Sequence, residues 1–267
     1  MRILFIGDIV GRPGRDLVRR GLAALVSYHS VDLVVANAEN AAAGFGITRE
    51  IGEQLLDAGV EVMTSGNHIW DKKEALDYIG IEPRLLRPAN YPAGVPGNGH
   101  FVARTAGGVS VGVLNLMGRV FMLSIDDPFA VALREIDALH ERARIVFVDF
   151  HAEATSEKIA MGWHLDGKAT AVIGTHTHVQ TADERILPRG TAYLTDVGMT
   201  GPHDSVIGVE TEAVLGRFRT GLPARFETAT GNPRLNAVIV DADEQTGKAT
   251  DIERLSYSGD ELDDLGR

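Results

Sequence analysis

Residues 60–71 read V-E-V-M-T-S-G-N-H-I-W-D, and the rest of the chain is read outward from them. A short β-branched and apolar run, with Val60, Val62 and Met63, ends in Ser65 and Gly66 and then in Asn67 and His68. This pattern predicts a strand that carries a carboxamide and an imidazole to its C-terminal tip, with a helix following. Open α/β sheets bind their ligands beyond the carboxyl ends of the strands. One such tip is weak evidence, but other apolar runs in this chain also end in residues that can ligate a metal.

Upstream, a buried-type strand is predicted over 2–7, with Asp8 at its tip. Gly11, Arg12, Pro13 and Gly14 read as a turn in which Pro13 opens a helix. Leu17, Val18, Leu22, Leu25 and Val26 then recur at helical spacing, so one face of that helix packs on a sheet. A second strand over 32–36 (D-L-V-V-A) ends in Asn37, Glu39 and Asn40, and 48–58 reads as a second helix. The order βαβαβ implies a parallel sheet with right-handed crossovers.

Downstream, 87–99 reads as a surface connection, and 101–104 with 109–116 as a hairpin. Asp127 and Pro128 start a helix running to about residue 142. Buried strands are predicted over 144–150, tipped by His151, and over 169–174, tipped by His176 and His178. A further strand over 191–196 precedes a glycine-bearing loop. Two more, over 235–241 and 250–256, are joined by a turn at 243–247. The acidic stretch 259–267 reads as frayed. No internal repeat or linker interrupts the chain, so the expectation is an α/β protein organised as one domain over 1–267.

Composition narrows the function. The chain has 267 residues, no cysteine and a formal net charge of −11. Thiolate metal sites, disulfides and a cysteine nucleophile are excluded, which fits a cytoplasmic protein. The longest apolar runs fall short of the roughly 18–20 residues that span a bilayer, so no membrane partner is expected. Without a clustered basic footprint, long nucleic acid is not expected as a partner either. A small anionic substrate is compatible with the charge if bound cations supply the positive field. A homo-oligomer stays open.

Each tip residue has an ordinary reading when taken alone. Asp8 after Gly7 reads as a helix cap or turn residue, Asn40 as a turn residue, and His151 as a hydrogen-bonded buried histidine. Their joint occurrence changes the balance. Asp8, Glu39, Asn40, Asn67, His68, His151, His176 and His178 all fall at strand tips, where such sheets bind ligands. These oxygen and nitrogen donors, free of sulfur, suit Fe or Mn, with Zn or Mg as further options. There are too many of them for one four-coordinate ion, and they match two ions sharing a bridging carboxylate, for which Glu39 is the natural choice. His29, His100, His140 and His164 lack such placement and read as surface or structural, whereas His203, in G-P-H-D, is a candidate for the rim of the site. Phe45, Trp70 and Phe121 are aromatic residues that could stack on a base, and core packing is the preferred reading for all three.

The tips also carry a family resemblance. Gly7-Asp8, Asn37–Asn40 (N-A-E-N), Gly66–His68 (G-N-H), Phe150-His151 and Gly174–His178 (G-T-H-T-H) resemble the signature of the calcineurin-like metallophosphoesterases. G-D-I-V-G-R-P-G, N-A-E-N-A-A-A-G-F-G, S-G-N-H-I-W-D and D-V-G-M-T-G-P more narrowly resemble the YmdB-type bacterial subfamily. The resemblance implies a layered αββα sandwich with ligands at strand C-terminal tips, and a dinuclear metal-dependent phosphodiesterase. The substrates implied are cyclic nucleotides, 2′,3′-cyclic mononucleotides first among them, cleaved by a metal-activated hydroxide with His68 as general acid. Residue by residue, it assigns Asp8, Glu39, Asn40 and His178 to one ion and Glu39, Asn67, His151 and His176 to the other. The chain departs from the broad pattern in three places. D-x-H becomes D-I-V, with Asn40 the natural substitute for the missing histidine; the bridging position is Glu39 rather than Asp; and His68 is followed by Ile69, which leaves Asp71 as the nominated orienting partner.

Rival readings fare worse. A dinucleotide-binding fold needs G-x-G-x-x-G after the first strand, whereas this chain has Gly7, Gly11 and Gly14, and a P-loop lacks its G-K-[ST]. A mononuclear amide hydrolase leaves Asn67 and a histidine unexplained. A catalytically weak nucleotide- or partner-binding regulator on the same fold is the alternative.

Overall fold

The computed structural model describes residues 1–266. In chain order the elements are β1 (Arg2–Ile6), β2 (Asp8–Ile9), α1 (Gly11–His29), β3 (Leu33–Asn37), α2 (Arg49–Asp57), β4 (Val62–Thr64), α3 (Ala75–Ile79), β5 (His100–Arg104), β6 (Ser110–Met117) and α4 (Pro128–His140). They continue with β7 (Ile145–His151), α5 (Thr155–Leu165), β8 (Ala171–Thr175), β9 (Arg185–Ile186), β10 (Ala192–Leu194), β11 (Met199–Pro202), α6 (Thr211–Thr220), β12 (Pro233–Ala242), β13 (Ala249–Ser258) and α7 (Gly259–Leu265).

The strands form two sheets. One runs β2-β11-β12-β1-β3-β4, with β13 added to β12, and the other runs β5-β6-β7-β8-β10-β9. β1, β3 and β4 are parallel, as are β6, β7, β8 and β10. The β5–β6 and β12–β13 pairs are antiparallel hairpins.

The apolar runs of β1 and β3 are buried on both faces, which is why they read as continuous rather than alternating. Ile3, Phe5, Leu33 and Val35 point inward and meet Val111, Val113, Ile145, Phe147 and Ile173 of the other sheet. The Phe5 and Phe147 rings approach to 5.0 Å across this interface. Leu4, Ile6, Val34 and Ala36 point outward against Leu17, Val18, Leu22 and Leu25 of α1 and Leu55 of α2. On the far side, Leu114, Leu116, Val146, Val148 and Phe150 pack under α4 and α5. The architecture is α/β in four layers, αββα. Among the described residues, no helix is long and apolar enough to cross a membrane.

Three expectations need correction. Gly11 to Gly14 is not a separate turn but the first turn of α1, where the N–H that Pro13 lacks has no intrahelical use. α5 and α6 went unread: α5 buries Glu157 and Lys158 beside Met161 and Leu165, which breaks the apolar period, and α6 buries only Val214. The acidic end is not frayed through residue 265, while Arg267 lies outside the described residues. Ser258 and Glu261 close a capping box at the start of α7, satisfying amide groups that would otherwise go without partners. Leu262, buried to 1% exposure, packs where α1 carries Gly21; a Cβ there would meet Leu262 at 2.8 Å.

Leu262→Ala should therefore cost about 2–4 kcal/mol of unfolding free energy in urea titration. A frayed end would lose almost nothing.

Candidate metal centre

The parallel strands of both sheets deliver their C-terminal ends to one edge. Asn115 of β6 accepts the Ser65 amide at 3.0 Å, tying the tip after β4 to the opposite sheet. All eight tip residues named from the sequence meet at this edge.

The geometry is densest at His151, which is fully buried. Thr175 spends its single hydroxyl proton on Asp149 Oδ1, at 2.7 Å. Its oxygen therefore accepts from His151 Nδ1–H, at 2.9 Å, which leaves Nε2 facing inward. Around that nitrogen stand Glu39 Oε1, Asn67 Oδ1 and His176 Nδ1, each at 3.0 Å. His176 donates from Nε2 to Glu153 Oε2, at 3.1 Å, so its Nδ1 is bare as well. A neutral His151 thus sets four lone pairs against one another, and a proton on Nε2 can serve only one of the other three. One ligand atom each from Glu39, His151 and His176 lie within 4.8 Å of one another. Such a group suits a cation with several open coordination positions better than a proton.

A second set of donors adjoins the first. His178 donates from Nδ1 to the Ile207 carbonyl at 2.9 Å, so its Nε2 is also bare. That nitrogen lies 3.2 Å from Asn40 Nδ2 and 3.8 Å from Asp8 Oδ1. Asp8 Oδ1 and Asn40 Oδ1 are buried with no hydrogen-bond partner among the described residues. Asn40 Nδ2 also donates to Glu39 Oε1, at 3.3 Å, so Glu39 touches both sets. The donor chemistry fits metal ions at both places, with each histidine turned by a hydrogen bond from its outer nitrogen.

Charge follows the same pattern. Burial alone would lift the Glu39 carboxyl, but the charge and hydrogen bond of His151 outweigh it and hold Glu39 low. Burial would likewise depress His151, yet Glu39 beside it raises the imidazole instead. Burial and the neighbouring His151 push His176 down to about 3. Burial raises Asp8 despite the pull of His178, and raises Asp149 to about 7. The edge draws positive charge to the point between Glu39 and His151.

The supporting frame is strained and densely hydrogen-bonded. His176 and His178 hold φ angles of 100° and 66°, values uncommon for residues with a side chain. Between them, Thr177 is held by Asp196, whose Oδ2 accepts from its amide at 3.1 Å and its hydroxyl at 2.8 Å. The same oxygen takes Lys158 Nζ at 2.6 Å, and both side chains of that ion pair are buried. Gly66 lies so close to His151 that a Cβ would sit 2.1 Å from the ring, which explains the glycine of G-N-H.

His68 stands at the edge of the cluster. Its amide donates to Glu39 Oε2 at 3.0 Å, and its Nδ1 lies 2.8 Å from Asp71 Oδ2, the partner nominated from the sequence. Phe45 packs edge-on against the His68 ring at 5.1 Å. Glu39, Asn40, Phe45, His68, His176 and His178 line a cavity of about 830 Å³ whose far wall comes from residues 206–228. His203 lies outside it, bonded to the Gly201 carbonyl and the Asn236 amide. Trp70 packs on Tyr91 and the core, whereas Phe121, expected in the core, is 90% exposed. His29, His100, His140 and His164 all make structural hydrogen bonds away from the centre.

Sequence reasoning missed the second layer: Asp149, Thr175, Glu153, Lys158 and Asp196. Asp149 was the most visible of these, a carboxylate inside the otherwise apolar run of β7. Asp196 lay in the D-V-G-M-T-G-P stretch, which carried resemblance but no role.

Comparison with known proteins identifies the family. A family model described as YmdB-like protein matches residues 4–255. A 2′,3′-cyclic-nucleotide 2′-phosphodiesterase of Bacillus subtilis (strain 168) is 51% identical over 262 residues, covering 98% of this chain and 99% of that protein. The crystal structure of a hypothetical protein from Thermus thermophilus superposes with a TM-score of 0.90 at 44% identity, covering 97% and 99% of the two chains. That of a novel phosphatase from Mycoplasma pneumoniae also gives 0.90, at 37% identity, covering 97% and 93%. With a family model matching nearly its whole length and a half-identical relative aligned end to end, the chain belongs to the YmdB-like family.

Proposed function

We propose that this protein is a dinuclear metal-dependent phosphodiesterase that hydrolyses 2′,3′-cyclic mononucleotides. The observation that carries the reading is the inward crowding of bare donors: three histidines, each with its outer N–H engaged, face Asp8, Glu39, Asn40 and Asn67. Glu39, Asn67, His151 and His176 would hold one ion, and Asp8, Glu39, Asn40 and His178 the other. The nitrogen and oxygen donors suit Fe or Mn, and Zn or Mg are accommodated by the same set. When bound, such ions neutralise the charge of a phosphodiester and lower the pKa of an attacking water.

The chain's own residues supply the remainder. Asp71 engages Nδ1–H of His68, so Nε2 carries a transferable proton only in the imidazolium form, whose charge the Asp71 carboxylate would offset. Hydrolysis forms a bond from water oxygen to phosphorus and breaks one from phosphorus to a ribose oxygen. His68 gives its Nε2 proton to that departing oxygen as general acid. The Bacillus subtilis relative's name places cleavage at the 2′ oxygen, which would leave a 3′-monophosphate.

The test is hydrolysis of 2′,3′-cyclic AMP before and after chelation, and again after adding Mn or Fe, with the two monophosphate products separated chromatographically. Hydrolysis lost on chelation and restored by metal, giving 3′-AMP, is expected; chelator-insensitive turnover, or none in metal-loaded protein, would overturn the proposal. His68→Ala should lower kcat by roughly 10²–10⁴-fold with metal content unchanged, and loss of metal would make His68 a ligand instead. Glu39→Gln removes the charge shared by both donor sets and should abolish turnover; near-normal rates would sink the bridging role.

A further inference from the structure

The cavity is larger than a phosphodiester group needs. At about 830 Å³ it falls in the range of pockets that enclose whole small molecules. Its wall opposite Glu39 and His68 is largely apolar, with Val206, Ile207, Val214, Phe218 and Phe226. Among the described residues lining it, Arg217 is the only Lys or Arg. Arg217 is exposed and makes no ion pair among the described residues, unlike the surface arginines Arg19, Arg49 and Arg84. Its guanidinium instead lies over the half-buried ring of Phe226, 5.3 Å from the centroid. Phe218, on the same wall, is 81% exposed. An exposed planar cation that lies over one aromatic ring and also lines a cavity offers a platform for a second flat ring.

We infer that Arg217 and Phe226 form a nucleobase subsite, in which the base of a nucleotide stacks on the open face of the guanidinium while its phosphate reaches the centre at Glu39 and His151. The inference rests on the proposed reaction and adds the part of the substrate recognised away from phosphorus. Stacking of this kind is tolerant of base identity, because every base has a π face. It contributes binding that is equal in the ground and transition states, so it acts on KM rather than kcat. Arg217 is thus a specificity-determining residue without a part in the chemistry.

The test compares 2′,3′-cyclic AMP with ribose 2,3-cyclic phosphate, which presents the same reacting group without a base. The wild-type protein should favour the nucleotide through KM, and in Arg217→Ala and Phe226→Ala that preference should fall by roughly 10–100-fold. Arg217→Lys separates plane from charge. It should behave as the alanine variant does, and full restoration by lysine would mean that Arg217 acts as a point charge on phosphate, overturning the subsite. An unchanged preference in Arg217→Ala would overturn it too. Calorimetric titration with adenosine 3′-monophosphate reads the subsite without turnover. Arg217-dependent binding by a protein that hydrolyses neither substrate would uphold the subsite and refute the reaction. Hydrolysis with a preference that no variant alters would do the reverse.

Discussion

Everything at the edge where the strand tips meet depends on one electrostatic constraint: more bare acceptors converge on the inner nitrogen of His151 than any proton can satisfy. Glu39, Asn67 and His176 each stand 3.0 Å from it, in a place from which water is largely excluded. A buried polar group left without a partner costs about 1–3 kcal/mol, and charged groups cost more. The protein brings several of them together at the meeting point of two sheets. Such a donor set has the chemistry of a cation site. Glu39 and His151 each shift the other toward its charged form, the imidazole upward and the carboxyl downward.

The frame that holds these groups in place is closely tied together. His176 and His178 adopt left-handed backbone conformations, and Asp196 clamps the residue between them with the help of Lys158. Removing one partner of a buried ion pair typically costs about 3–5 kcal/mol, so the clamp resists relaxation of the strained turn. Gly66 lets the G-N-H tip pass against the His151 ring, and Gly174 fills the same need deeper in the sheet, where a Cβ would sit 1.8 Å from the Thr195 carbonyl. The two glycines permit close approach of strands whose tips carry the donors. Fold and site are in this sense one design.

Much of this was legible from sequence because the donors sit where buried apolar runs stop. Asp8 follows an apolar run directly, Glu39 lies three residues past another, and His151 ends a run that only Asp149 interrupts; such a change of character is visible without coordinates. Helices that present clean apolar stripes, such as α1, were equally readable. The second layer was hidden for the opposite reason: Thr175 and Asp196 are ordinary polar residues whose roles exist only once β7, β8 and β10 lie side by side. α5 escaped notice because the positions it buries include Glu157 and Lys158, which periodicity counts as surface. Arg217 and Phe226 are nine residues apart in a stretch without regular patterning, and only the packing of α6 brings them together.

The central claim is that two donor sets, sharing Glu39, hold two metal ions. Elemental analysis of protein purified without chelator, and again after reconstitution with Mn and Fe, tests it most directly. The account predicts close to two ions per chain. A value that stays at one or below after reconstitution would contradict it.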